Sequence, residues 1–279
     1  VVVEASAENN FMPTAADIKP HLKEATLISL CSPQNPTGTT FKKAELEAIC
    51  DLVIEENNRR GEGEKKLYVM YDQMYWHLTY GNIRHYNPVS LRPEMRNYTI
   101  FIDAISKVFA ATGVRVGWSM GPAVVIAKMK SILTHVGAWA PMAEQKAVAY
   151  YLNQHRDNIK KYLNHFKSEI EERLRRIYDG LIQLKSEGLA VDAIAPEAAI
   201  YLTINFDLVG KSTEEGKLLA DQGAVTAYIL NEAKLAVVPF YAFGASRSST
   251  WYRLSIGTCK KEEINEMLNK LKEALKKLR

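Results

Sequence analysis

Cysteine is scarce in this chain of 279 residues: Cys31, Cys50 and Cys259 are far apart and odd in number. That argues against a disulfide framework and a cysteine metal cluster, and fits a reducing compartment, the cytoplasm. The six histidines show no ligand spacing, so no metal is expected. No apolar run is long enough to span a bilayer, so no membrane partner is expected. Net charge is only +4, and no long basic run is free of acidic neighbours, so nucleic acid is not the expected partner. Internal repeats and low-complexity tracts are absent. An initiator Met is missing too; the chain opens on Val1-Val2-Val3.

The 47% hydrophobic and 24% charged composition suits a globular protein with a sizeable core. Buried strands are expected at residues 1–6, 26–31, 67–72, 98–103 and 114–120, from their β-branched and aromatic runs. A short helix is expected at 17–24. Another follows residue 38, because Leu46, Ile49, Cys50 and Val53 fall on one helical face. Strands alternating with helices and crossover loops indicate an α/β domain with a mostly parallel sheet. After Gly121-Pro122 the character changes. Residues 142–188 read as almost wholly helical, with Ile159, Leu163, Phe166, Ile170, Leu174, Ile177, Leu181 and Leu184 as one apolar seam. Strand-like runs at 199–204, 235–238 and 251–256, and a closing helix at 260–278, complete an α+β half. The expected organisation is a large domain at 1–141, a helical linker at 142–188 and a small domain at 189–279.

In open α/β sheets, ligands bind outside the carboxyl ends of the strands. Three such ends carry unusual residues. The strand at Leu27 runs into Ser32-Pro33-Gln34-Asn35-Pro36-Thr37-Gly38. The strand at Leu67 ends in Asp72-Gln73-Met74-Tyr75. The strand at Tyr98 leads to Ser106-Lys107, and Arg115 follows eight residues later. A lysine there can form a Schiff base with a carbonyl. An arginine there can grip a phosphate bidentately. Pyridoxal phosphate needs both. Each feature alone has an ordinary reading: a helix cap, a turn, a solvated Lys and Arg, a strand-face arginine at Arg253. Trp76, Trp118 and Trp139 read as core or wall. Gly210-Lys211-Ser212-Thr213 lacks the upstream glycine of a P-loop, since Asn205 stands there.

With Thr112-Gly113-Val114-Arg115-Val116-Gly117 and Trp251-Tyr252-Arg253-Leu254-Ser255 added, the chain resembles the class I/II aminotransferases. These are the aspartate aminotransferase relatives among the fold-type I pyridoxal-phosphate enzymes. The resemblance implies that fold, with large and small domains joined by a long helix. It implies an aminotransferase that moves an amino group from an amino acid to a 2-oxo acid, working as a homodimer. It implies an internal aldimine on Lys107, with Asp72 paired to the pyridine nitrogen. Tyr75 and Asn35 would bond the ring oxygen, Ser106 and Arg115 the phosphate, and Arg253 the substrate carboxylate, with Asn35 beside it. A cis Asn35-Pro36 bond is also implied. A pyridoxal-phosphate lyase, or a binding module without activity, would use the same scaffold.

The late run Val238-Pro239-Phe240-Tyr241-Ala242-Phe243-Gly244 has Phe240 where the family carries glycine, so Phe240 and Tyr241 are expected to narrow the substrate pocket. The family's large domain also begins before Val1. That earlier part supplies a phosphate loop, a stacked aromatic and a tyrosine lent by the partner subunit. The 279-residue chain is therefore expected to be a fragment that is not competent alone.

Overall fold

A computed structural model describes residues 1–279. Val1 and Val2 lie in solvent, and residues 1–6 form no strand; a 3₁₀ turn, Ala7–Asn9, follows. This corrects the expected first strand. A β-branched run stays extended where a neighbouring strand completes its ladder, and the sheet places none beside it.

The chain divides into two units. Val3–Gln34 and Thr39–Lys167 belong to the first, Asn35–Gly38 and Ser168–Arg279 to the second. The first unit opens with α1 (Ala15–Ile18), started by a capping box between Thr14 and Asp17. There follow β1 (Leu27–Cys31), α2 (Lys43–Arg59), β2 (Tyr68–Asp72), α3 (Pro88–Leu91), β3 (Thr99–Ala104), the single turn α4 (Ile105–Val108) and β4 (Gly117–Met120). The sheet order is β1-β2-β3-β4. The first three strands are parallel and β4 runs antiparallel to β3. The last strand starts at Gly117 rather than at residue 114, because Thr112–Val114 is a 3₁₀ turn and Arg115 is left-handed.

Helix α2 buries the foreseen face. Leu46, Ile49, Cys50 and Val53 join Leu30, Val69, Tyr71 and Met95 in one core. Full burial of one such apolar side chain is worth about 1.5–3 kcal/mol. Asn57 then ties the helix to the start of β2: its amide donates to Val53 and Leu67 carbonyls, and Leu67 N–H donates back to Oδ1. This holds β2, and with it Asp72, in register.

Helices α5 (Ala123–Val136) and α6 (Met142–Gln154) precede the long α7 (Arg156–Ser186). The sequence reading did not foresee α5. It is apolar on several sides and buries no residue; Val124, Ile132, Leu133 and Val136 are exposed. Trp139, expected as core or wall, is also exposed. On α7 the seam is buried at Ile170, Leu174, Ile177, Leu181 and Leu184 and half-buried at Ile159, Leu163 and Phe166. No helix is long and apolar enough to cross a membrane.

In the second unit, β5 (Asp192–Ala193), β6 (Tyr201–Asn205), α8 (Gln222–Glu232), β7 (Val238–Pro239), β8 (Trp251–Ser255) and α9 (Ile264–Lys276) follow. The strands form an antiparallel sheet in the order β5-β6-β8-β7. Helix α9 buries Ile264, Leu271, Ala274 and Leu275.

Candidate active site

The first unit gathers five of the seven expected site residues at one end of its sheet. Strands β2 and β3 are parallel neighbours with Asp72 opposite Ile102, so both chains leave the sheet at the same end. Asp72 is half-buried, and its Oδ1 accepts from Met74 N–H at 2.9 Å. That bond shapes the tight turn that brings Tyr75 into a buried position. One strand over, β3 runs directly into α4, which carries Ser106 and Lys107, both half-buried.

Arg115 returns to the same place because β4 pairs with β3 through Ala104 opposite Gly117, and Ile105 N–H donates to Val116 carbonyl. Gly117 is needed here: a Cβ would meet Ala104 Cβ and Asp103 carbonyl oxygen, each at 3.0 Å. Arg115 is exposed, with Nη1 donating to Thr112 carbonyl at 2.7 Å. One backbone contact leaves most of a five-donor guanidinium for an anion. Among the ion pairs, none includes Lys107, Arg115 or Asp72. An amine, a guanidinium and a carboxylate therefore sit at one sheet end without neutralising one another.

The second unit holds the other two. Asn35-Pro36 is cis, as expected, and Ser32-Pro33 is cis as well. Asn35–Gly38 is held against β6: Ala198 N–H donates to Gly38 carbonyl, and Thr203 hydroxyl to Thr37 carbonyl, each at 2.8 Å. Gly38 has φ +72°, and a Cβ there would lie 2.5 Å from Tyr201 carbonyl oxygen. Only glycine permits that approach. Arg253 on β8 donates from Nη1 to Asn35 Oδ1 at 2.9 Å. Its guanidinium lies over the rings of Tyr201 and Phe243, 4.9 and 4.8 Å from their centroids. Its Nε is buried and makes no hydrogen bond. An oriented guanidinium with an unused buried donor is the chemistry of a carboxylate clamp.

Phe240 is buried within its own unit and meets Phe243 edge-on; Tyr241 lies under Arg247. Phe243 is the residue that lies against Arg253. Trp76, expected as core or wall, is 36% exposed, and its indole N–H donates to Oδ2 of Asp103, a residue the sequence did not single out, at 2.9 Å.

The model of the family described as aminotransferase class I and II matches residues 1–271. The chain belongs to that family. Among curated relatives, a probable aspartate/prephenate aminotransferase of Rickettsia typhi is 27% identical over 276 residues, covering 98% of this chain. An aspartate aminotransferase of Rhizobium meliloti is 28% identical over 280 residues. The chain spans 64% and 63% of those two relatives. In structure it is similar to an aspartate aminotransferase from Rhizobium meliloti, with TM-score 0.87, 26% identity and cover of 100% of this chain and 65% of the other. An aromatic aminotransferase from Pyrococcus horikoshii superposes with TM-score 0.83 and 27% identity, over 99% of this chain and 67% of the other. The PLP-dependent transferase fold expected from the motifs is thereby shown.

Proposed function

We propose that the protein is a pyridoxal-phosphate-dependent aminotransferase that moves an amino group from an amino acid to a 2-oxo acid. One observation carries this reading. In a chain of this family, Lys107 and Arg115, free of ion pairs, share a sheet end with Asp72 and Tyr75. The donor set fits the cofactor by charge and type. Arg115 and Ser106 would hold its phosphate, Asp72 its ring nitrogen, and Tyr75 and Asn35 its ring oxygen. When bound, pyridoxal phosphate supplies an electron sink for the pair left when a substrate Cα–H is broken.

This chain's residues do the rest. Lys107 Nζ would be the amine that holds the cofactor at its carbonyl carbon and, when free, the base that takes and returns the proton at the substrate Cα. Asp72 would keep a proton on the ring nitrogen, because a carboxylate beside that nitrogen favours its protonated, positive form. Arg253 fixes the substrate carboxylate, with Asn35 and the two rings holding the guanidinium in place.

The finer readings rest on the same ground. Aspartate and aromatic amino acids, named for its relatives, are the first donors to test. The working unit is a homodimer; the exposed apolar side chains of α5 favour a covered surface. Three free thiols favour a reducing cytoplasm. The large, linker and small domains are assigned to residues 1–141, 142–188 and 189–279. The test is a screen of amino acids against the cofactor-loaded protein, followed by product analysis with an oxo-acid acceptor. Stoichiometric new amino acid and oxo acid support the reading; elimination products without amino transfer turn it to a lyase.

A further inference from the structure

Asp103 is a buried carboxylate, 6% exposed, on the strand that delivers Lys107. It makes no ion pair, and the charge acting on it is the like charge of Asp72. Such a group is costly to bury unless hydrogen bonds replace the lost water. Three donors do so. Ala104 N–H reaches Oδ1 at 2.7 Å, Trp76 Nε1–H reaches Oδ2 at 2.9 Å, and the Gln73 side chain bonds to it as well. Burial, then Asp72, push its carboxyl up, against the pull of these bonds.

The donors come from two segments. Ala104 belongs to the strand end before Ser106 and Lys107. Gln73 and Trp76 flank Tyr75 on the turn that starts at Asp72. That turn is internally tied, by Met74 N–H to Asp72 Oδ1 and Trp76 N–H to Gln73 carbonyl, each at 2.9 Å. It is docked on β3 at its start through Gln73 N–H to Ile102 carbonyl at 3.1 Å. The indole bond to Asp103 docks its far side.

We propose that Asp103 is a positioning residue that locks the Asp72–Tyr75 turn to the Ser106–Lys107 turn, so that the groups for the ring and for the reacting carbon keep one geometry. The proposal rests on the cofactor reading above. It explains why an acceptor-only group stands here: every partner is a donor, and a carboxylate offers two oxygens with no hydrogen of its own. An amide must turn its NH₂ toward one of the two N–H groups.

The test uses Asp103→Asn, Trp76→Phe and the double variant, each titrated as apoprotein with pyridoxal phosphate well below its thermal midpoint. Asp103→Asn is expected to weaken cofactor binding about tenfold to a hundredfold, the scale of a lost charge-assisted bond beside a donor clash. Trp76→Phe keeps the carboxylate and its Ala104 bond, and should lose about tenfold or less. The double variant should bind no worse than Asp103→Asn, because removing the indole N–H removes the clash. At saturating cofactor, both single variants should shift the visible absorbance of the bound cofactor in the same direction. A merely structural carboxylate would lower the thermal midpoint and leave affinity and spectrum unchanged, and that result overturns the role. If Asp103→Asn does not fold, Trp76→Phe decides by the same two readouts. A parent protein that takes up no pyridoxal phosphate overturns the cofactor reading, and this role with it. A parent that binds while both variants match it overturns the role alone.

Discussion

Arg253 Nη1 donates to Asn35 Oδ1 at 2.9 Å, joining residues 218 positions apart. The bond fixes one arm of the guanidinium, and Tyr201 and Phe243 fix its plane. Its buried Nε stays without a hydrogen bond, so the guanidinium is held as a preset fork. Arg253→Lys keeps the charge but loses fork and stacking, and should raise the amino-acid KM about tenfold to a hundredfold, while cofactor affinity stays within about twofold. Steady-state kinetics and a cofactor titration check this. A matching loss of cofactor affinity would remove the clamp role.

Asp72→Ala should separate binding from chemistry. The phosphate contacts proposed for Ser106 and Arg115 would persist, so cofactor affinity should fall by only about 1.5–3 kcal/mol, one charge-assisted bond. Proton abstraction should slow by more than that, because the ring nitrogen loses the carboxylate that keeps it protonated. Single-turnover rates with a donor amino acid report the second effect. Near-normal turnover would refute the role of Asp72.

His85 sets a pH dependence of stability. Both ring nitrogens are buried without a hydrogen bond, and the ring lies near those of Tyr71 and Trp76. Burial, then His77, lower its pKa from 6.5 to about 4. The unfolded chain therefore takes up a proton that the folded chain refuses. This contribution is intact above about pH 6.5, is lost as pH falls toward about 4, and amounts to up to about 3 kcal/mol. Denaturant unfolding of His85→Phe across that window should give a flatter pH profile than the parent. An unchanged slope would assign the acid sensitivity elsewhere.

The motifs were legible because each lies beside a feature with a strong local signal. Strands β1, β2 and β3 begin and end within a residue or so of their apolar runs, and α2 and α7 bury the faces that their spacing marks. The candidate site residues follow from where the strands end. What was not legible depends on partners. Residues 1–6 have strand composition and no neighbour. Helix α5 is apolar at Val124, Val125, Ile126, Ile132 and Leu133, which marks no single face. On α8, Val225, Tyr228 and Ile229 are buried at helical spacing, but among small residues that dilute the pattern. The Asp103–Trp76 bond spans 27 residues and two turns, beyond what local spacing encodes.

Helix α5 also makes association testable. Val124, Ile132 and Val136 are each more than half exposed, a run of apolar surface that water does not favour. Sedimentation should find the protein self-associated, and Val124→Lys with Ile132→Lys should weaken that association. A parent monomeric at micromolar concentration would leave the homodimer without support.

The central claim is that Lys107 is the amine that holds the cofactor. Borohydride reduction of the pyridoxal-phosphate-loaded protein, followed by peptide mass analysis, tests it most directly. The account requires one fixed cofactor per chain on the peptide containing Lys107, and none in Lys107→Ala. Stoichiometric label on any other lysine, or retained labelling in Lys107→Ala, would contradict it.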